Sequence, residues 1–393
     1  MTVAGRARSR PVRAVVLVGA ALALVAGCTS NGATSSAPGS GSSAQAAAPT
    51  ITVNPGKGRT VAPTAPVVIR AQQGKLDMVT VQASDGSVVP GRLANGDTVW
   101  RSDPQLLQFG SKYNVAASAV SGSARSTVSS TFTVKESKGL HAFLSPDNRT
   151  VGVGMPIIAR LTATPDDRAM VESRLSVTTS RPVQGAWHWF SDTELHWRPK
   201  DYWPANTTVL VKANLNGVKF GNNVYGDHDT SVKFKIGESN INTVDVNAHT
   251  LTVTTNGKLL RVIPVTTGKS TLPTRAGIKV IISKQTETVM DSATVDIPKG
   301  SPDAYRLTVK NAMRITWSGE YLHAAPWSVA SQGVANVSHG CTGMSDANAQ
   351  WMFDHSQVGD VVKYVGSTRP LEQGNGYTDW NVPWATWLKN SAV

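Results

Sequence analysis

Cysteine is nearly absent from this 393-residue chain, which has only Cys28 and Cys341. Two thiols cannot build a disulfide-dense scaffold or a four-thiolate zinc site, so any cysteine chemistry rests on individual thiols. Charge is sparse too, at 16% of residues, and unbalanced, with 38 Lys and Arg against 26 Asp and Glu. Long apolar runs are lacking except for one near the N-terminus, which excludes a polytopic membrane protein. A hydrophobic fraction of 40% argues equally against wholesale disorder. At roughly 100–200 residues per domain, the length allows two to four domains.

The one apolar run spans 14–26, broken only by Gly19, and follows Arg6, Arg8, Arg10 and Arg13 with no acidic residue among them. That pattern reads as a secretory signal over 1–27, too short for a comfortable membrane span. It ends in Val25-Ala26-Gly27-Cys28, which resembles the bacterial lipoprotein cleavage box and makes Cys28 the expected lipidation site. The alternative is an ordinary secretion signal with an incidental cysteine. Residues 28–49, rich in Ser, Ala and Gly, read as a flexible tether. The expected location is the outer face of the cell membrane, facing the wall. Removing the signal takes away four arginines, so 34 basic residues against 26 acidic leave +8. No nucleic-acid signature accompanies this charge, and the expected electrostatic partners are anionic headgroups and anionic wall polymer.

From 50 to 238 the chain alternates in short runs such as Thr131-Phe132-Thr133-Val134 and Val232-Lys233-Phe234-Lys235-Ile236, separated by Gly, Pro and Asn, which predicts β-sandwiches. Arg59-Thr60-Val61 and Pro66-Val67-Val68 recur 90 positions on as Arg149-Thr150-Val151 and Pro156-Ile157-Ile158, and Trp100-Arg101 recurs after 97 as Trp197-Arg198. This period predicts two immunoglobulin-like sandwiches, at 50–138 and 139–238. Trp187, Trp189, Trp197 and Trp203 read as core or domain-contact packing in preference to a sugar-binding face. From 239 to 367 the runs lengthen, with Asn256-Gly257 as a hairpin signal. Ser345 reads as the N-cap of a helix through Phe353. The Trp-rich tail, 368–393, carries Trp380, Trp384, Trp387 and Leu388 at helical spacing and is expected to fold back as packing.

Cys341 closes the motif Ser338-His339-Gly340-Cys341 just before that helix. Gly340 permits a tight turn that can aim amide N–H groups at a developing negative charge. A thiol becomes a good nucleophile when a histidine or local positive field favours its thiolate; His339 and His323 are the candidates. A buried, inert cysteine is the alternative, and the oxidation that an exported unpaired thiol would suffer argues against it.

At these residues the chain resembles the L,D-transpeptidase (YkuD-like) family, in its actinobacterial lipoprotein type with two N-terminal immunoglobulin-like domains. The family signature is a histidine, a short spacer, then Ser or Thr followed by His-Gly-Cys. Here His323, fourteen intervening residues and Ser338-His339-Gly340-Cys341 fit it. The likeness extends through Met290-Asp291-Ser292, Ser301-Pro302-Asp303-Ala304-Tyr305, Ser318-Gly319, His323-Ala324-Ala325-Pro326-Trp327-Ser328 and Asn348-Ala349-Gln350-Trp351. It implies a mainly β chain: two immunoglobulin-like sandwiches, then a β-rich catalytic domain with a short helix after the catalytic cysteine.

Carried over by residue, the resemblance implies Cys341 as nucleophile, His323 as general base, and His339 shaping the site near the thiol. Amides around Gly340 and Cys341 would form the oxyanion hole. Tyr305, Trp327 and Met290 would belong to a lid, with Ser318 and Gly319 along the substrate path and Ser338 and Gly343 beside the substrate. Two departures stand out: Ala324 where the family often has Ser, and Thr342-Gly343 where it usually has an aliphatic residue and Asn. They bear on rate and donor preference more than on reaction class.

The implied reaction acylates Cys341 with a tetrapeptide stem, releases D-alanine, and resolves the thioester with a neighbouring stem's side-chain amine as a 3→3 cross-link. Carbapenem-type inhibitors would capture the same thiol. No cofactor or metal is required, and Asp227-His228-Asp229, the ligand-like cluster, reads as a solvated loop. The alternatives are an L,D-carboxypeptidase and a wall-binding lipoprotein with a degenerate site.

Overall fold

The computed structural model describes residues 47–295 and 298–393. The expected signal, Cys28 and all but the last three tether residues lie outside the described residues. No helix among the described residues is long and apolar enough to cross a membrane.

Eight strands follow the first set of alternating runs: β1 Thr50–Asn54, β2 Arg59–Val61, β3 Val68–Gln72, β4 Lys75–Ala83, β5 Gly91–Ala94, β6 Val99–Ser102, β7 Lys112–Ser121 and β8 Ala124–Val134. They form two four-stranded sheets, β1-β3-β6-β5 and β2-β8-β7-β4. Their inward residues, including Ile69, Val81, Trp100, Tyr113 and Phe132, make one core, as the period-two pattern requires.

The next region holds β9 Lys138–Leu140, β10 Ala142–Ser145, β11 Thr150–Val151, β12 Ile157–Leu161, β13 Leu175–Thr179, β14 Gly185–Trp189, β15 Glu194–Pro199, β16 Thr208–Ala213, β17 Lys219–Gly221, β18 Val224–Gly226 and β19 Thr230–Ile236. Its sheets, β10-β12-β15-β14 and β11-β19-β16-β13, repeat the first pair strand for strand. The recurring sequence pieces fall on β2 and β11, β3 and β12, and β6 and β15. The second copy adds a small sheet, β17-β18-β9, and helix α1, Arg168–Ser173. Asp167 caps α1, its Oδ1 accepting from the Met170 amide at 2.8 Å. Trp187, Trp189, Trp197 and Trp203 are all buried in this core, which runs on to include Val361 of the C-terminal domain. The amides of Gly152 and Gly154 donate to the carbonyls of Val358 and Gly359, both at 2.8 Å.

The C-terminal domain contains β20 Asn240–Asp245, β21 Thr250–Thr255, β22 Lys258–Pro264, β23 Arg275–Val280, β24 Ser283–Asp291, β25 Arg306–Arg314, β26 Tyr321–Ala324, β27 Thr342–Met344, β28 Val361–Val365 and β29 Arg369–Pro370. One sheet runs β22-β21-β20-β28-β23-β29 and the other β24-β25-β26-β27. Asn256 and Gly257 have φ of 50° and 77°, the two positive values that a tight β21–β22 hairpin demands. Ser345 caps helix α2, Asp346–His355, accepting from the Asn348 amide. The helix buries Ala349 and Met352. Parallel pairing of β26 with β27 sets His323 opposite Gly343 and Leu322 opposite Thr342. His323 and the end of the Ser338–Cys341 loop are thus brought to neighbouring strands by backbone hydrogen bonding.

The Trp-rich tail folds back as two pieces in place of one helix. A 3-10 turn at Asp379–Asn381 and helix α3, Trp384–Lys389, flank Pro383, which has no N–H to continue a helix. The tail closes over the outer face of β14 and β15, where Trp387 donates from Nε1 to the Ala186 carbonyl at 2.9 Å.

Candidate active site

A cavity of about 360 Å³ opens beside β26 and β27. Cys341, His323, His339, Tyr305, Trp327, Met290, Ser338 and Gly343 all line it. Eight side chains or backbones scattered over 54 positions of sequence thus converge on one concave surface. A second cavity of about 230 Å³ shares Met290 and Tyr305 with the first and reaches Gly319. Met290 and Tyr305 therefore form the bar between two openings.

Cys341 is 9% exposed. Its Sγ lies 3.6 Å from the Gly319 carbonyl, and the Tyr321 amide hydrogen-bonds the sulfur. Burial pushes the thiol up to about 12, against the weaker pull of that amide. His323 is buried as well, which holds its imidazole below the ordinary value. Burial thus favours the neutral thiol and the neutral imidazole over the preformed thiolate that a histidine-activated cysteine suggests. The His323 Nδ1 lies 2.8 Å from the Ala324 carbonyl. A carbonyl can only accept, so Nδ1 carries the proton and Nε2 keeps its lone pair, the tautomer that a base needs. A backbone atom provides this contact, so it does not depend on the side chain at 324.

The loop before the thiol is braced by its own residues. Ser338 Oγ donates to the Cys341 carbonyl at 2.6 Å and accepts from the Gly340 amide at 3.1 Å. The Gly340 N–H is thus engaged by Ser338 in the resting loop. Gly340 itself has φ +127°, a conformation that L side chains rarely adopt, and Thr274 Oγ1 donates to its carbonyl at 2.8 Å. Beneath the loop, Glu320 accepts from Lys279 Nζ at 2.5 Å and from the Arg275 amide at 3.0 Å. Lys279 is wholly buried, and burial brings its ammonium down to about 8. A buried pair of this kind is costly to break because the survivor is left uncompensated.

His339 lines the cavity, but its Nε2 sits 3.4 Å from Asp303 Oδ1 and its ring lies 5.0 Å from that of Tyr305. Asp303 also pairs with Lys269. The contacts of His339 therefore tie the loop to the segment carrying Tyr305. Ser318 lines neither cavity: Asn375 of the tail takes its amide at 2.9 Å and donates to its hydroxyl at 2.8 Å. At Gly343, a Cβ would meet the Ala325 Cβ at 2.9 Å and the Thr266 Cγ2 at 3.0 Å. The space for a side chain there is already filled. Thr342, polar where an aliphatic residue is usual, satisfies its buried hydroxyl on Tyr364 OH at 2.7 Å.

Sequence reasoning missed Lys279, Glu320, Thr274 and Asn375, and gave Asp303 no role of its own within the family-like segment that contains it. A lone lysine in Lys279-Val280-Ile281-Ile282 was the one visible signal, since an isolated charge in an apolar run needs a buried partner.

A family model described as "L,D-transpeptidase catalytic domain" matches residues 239–363, and one described as "Bacterial Ig domain" matches 58–219. L,D-transpeptidase 2 of Mycobacterium tuberculosis is 37% identical over 333 residues, covering 84% of this chain and 81% of that protein. The chain belongs to the L,D-transpeptidase family. L,D-transpeptidase 5 of the same species is 33% identical, covering 88% of this chain and 78% of that protein. The solved structure of the transpeptidase LdtMt1 in complex with imipenem matches at a TM-score of 0.51 and 39% identity, over 58% of this chain and 99% of that one. Members of this family are cysteine-dependent acyltransferases, and the chain has one described cysteine, Cys341.

Proposed function

We propose that this protein forms 3→3 cross-links between peptidoglycan stem peptides through a thioester on Cys341. The observation that carries the reading is the shared cavity of a buried thiol and a buried imidazole whose base tautomer is fixed by a backbone carbonyl. His323 Nε2 takes the thiol proton as sulfur attacks the carbonyl between the stem's third residue and its terminal D-alanine. The C–N bond breaks, the departing amine receives that proton, and a thioester remains. An amine from a neighbouring stem then attacks, gives its proton to His323 and expels the thiolate, which is reprotonated. Both groups begin and end neutral, as their burial favours. Met290 and Tyr305, between the two cavities, suit a bar that separates donor from acceptor. Carbapenems would acylate the same sulfur.

The N-terminal signal and Cys28 support a lipid anchor on the outer face of the membrane. The tether and two sandwiches would then act as a spacer toward the wall. Cys28→Ala should move the protein out of the membrane fraction.

Incubation with a defined tetrapeptide stem tests the reaction. The expected product is a cross-linked dimer with one D-alanine released; tripeptide alone would mean that water resolves the thioester and the protein is an L,D-carboxypeptidase. The pH dependence tests the base. Because burial lowers His323, the acid limb of kcat/KM should lie below pH 6.5, the ordinary imidazole value, and a midpoint above it would remove His323 from this role.

A further inference from the structure

The loop that reads as solvated in sequence, Asp227-His228-Asp229, acquires a third member in the fold. Parallel pairing of β9 with β18 sets Gly139 opposite Tyr225 and Leu140 opposite Gly226. One step further along the same register, His141 and Asp227 leave the two strands side by side. The Asp227 amide donates to the Leu140 carbonyl at 3.2 Å and the His141 amide to Thr162 Oγ1 at 3.0 Å, so both backbones are fixed. Gly139 lets the carboxylate lie against the strand, since a Cβ there would stand 2.3 Å from Asp227 Oδ2.

Two imidazoles turn the same nitrogen to one carboxylate oxygen. His141 Nδ1 lies 3.1 Å and His228 Nδ1 2.9 Å from Asp227 Oδ1, and the rings are 4.1 Å apart. With zinc bonds of about 2.0–2.1 Å, the edges of a ligand tetrahedron are about 3.3 Å long. The two observed N–O edges are within a few tenths of an ångström of that. No lysine or arginine pairs with Asp227 among the described residues. The cluster is partly exposed, with side-chain accessibilities of 22%, 53% and 32% for His141, His228 and Asp227, so a cation can enter. Asp229 is not available as a further ligand on the same terms, because its Oδ1 accepts from the Asn216 amide at 2.8 Å.

We propose that His141, His228 and Asp227 form a binding site for a divalent transition cation of the zinc class on the second sandwich. Two imidazole nitrogens and one carboxylate oxygen suit zinc far better than calcium or magnesium, which take oxygen ligands. The bound ion would replace the His141 Nδ1 hydrogen bond and the His228 Nδ1 contact to Asp227, each imidazole carrying its proton on Nε2, and solvent would complete the coordination. It would fasten the β9–β10 turn to the β18–β19 connection, 86 positions away in sequence. The site lies apart from the catalytic cavity and takes no part in acyl transfer.

Equilibrium dialysis of the untagged full chain against zinc tests this. One ion per chain is expected, bound equally by Cys341→Ala, with magnesium failing to compete. His141→Ala and His228→Ala should each weaken binding at least about tenfold, since even losing a group that only supports a metal ligand costs that much. His355→Ala, at an exposed histidine elsewhere, should leave it unchanged, as should cross-linking activity in His141→Ala. A second measurement needs no variant: zinc should protect His141 and His228 of the wild type from diethylpyrocarbonate, read by peptide mass. Absence of stoichiometric binding at about 0.1 mM zinc, far above the dissociation constants of structural zinc sites, overturns the proposal. So does zinc that is lost with Cys341→Ala but kept in His141→Ala, or a footprint that zinc leaves unaltered.

Discussion

The two sandwiches share their strand order and even a Trp-Arg pair on the matching strand, yet the arginines of that pair meet opposite fates. On β6, Trp100 enters the core and Arg101 is exposed to solvent. On β15, Trp197 enters the core in the same way, but Arg198 is 3% exposed. Its guanidinium lies 4.9, 5.2 and 4.5 Å from the rings of Trp380, Trp384 and Trp387, and it donates to the Val382 carbonyl at 2.8 Å. The neighbouring His196 is held between Asp379 and Glu194 at 2.8 and 2.9 Å. The alternating pattern decides that each segment becomes a strand; what lies over its outer face decides whether the outward residue is solvated or buried. In the second sandwich that cover is the C-terminal tail, which also holds Ser318 of the catalytic domain. One sandwich thereby supports the catalytic domain through the tail, and the other carries Arg101 on a face that nothing covers among the described residues.

That contrast can be broken in three places, taken from the largest expected effect to the smallest. Trp387→Ala should cost about 3–5 kcal/mol, because the ring is fully buried, stacks on His188 at 4.3 Å and donates to Ala186. Denaturant melts should show the loss in the transition of the second sandwich and catalytic domain, with the first sandwich's transition unmoved. Arg198→Ala should cost about 2 kcal/mol or more through lost ring contacts and hydrogen bonds. Arg101→Ala, the matched change in the first sandwich, should stay within about 0.5 kcal/mol; equal costs would end the comparison.

Stability against pH separates the regions further. Burial alone would lower His196, but Asp379 and Glu194 overcome it and lift the imidazole to about 9. Its contribution is therefore full below pH 6.5 and lost as pH rises through 9, by up to about 1.4 kcal/mol per pH unit. Burial raises Asp360 to about 7 where it meets Gly152, so its contribution is full below 3.8 and lost as pH rises through 7. In the first sandwich the shifted carboxyls go the other way. The Ser118 hydroxyl lowers Asp77, and the Ser87 amide leads in bringing Asp85 to about 2. Their contribution is lost only in acid. Melts between pH 5 and 9 should find the first sandwich flat and the transition of the second sandwich and catalytic domain falling. Asp360→Asn should flatten the decline below pH 7 and His196→Gln the decline above it.

The parts of this fold legible in sequence are those that a few neighbouring residues determine. Asn256-Gly257 makes a hairpin, Ser345 caps α2, and Ser338 to Cys341 form a braced loop because the necessary contacts lie within a handful of positions. The repeat was visible because each copy writes the same inward pattern. The misses depend on distance. Glu320 meets Lys279 from 41 positions away and Asn375 meets Ser318 from 57, so neither partner announces the other. Pro383 was visible in the tail, but the periodicity of the tryptophans around it suggested a continuity that its ring forbids. Likewise His141 gives no local sign of Asp227.

Intact-protein mass after brief exposure to a tetrapeptide stem, with no acceptor amine present, tests the central claim most directly. The wild type should gain the mass of the stem less D-alanine, on the peptide containing Cys341, and Cys341→Ala should gain nothing while keeping its native melt. An adduct that persists in Cys341→Ala, or D-alanine release unaffected by that substitution, would contradict the account.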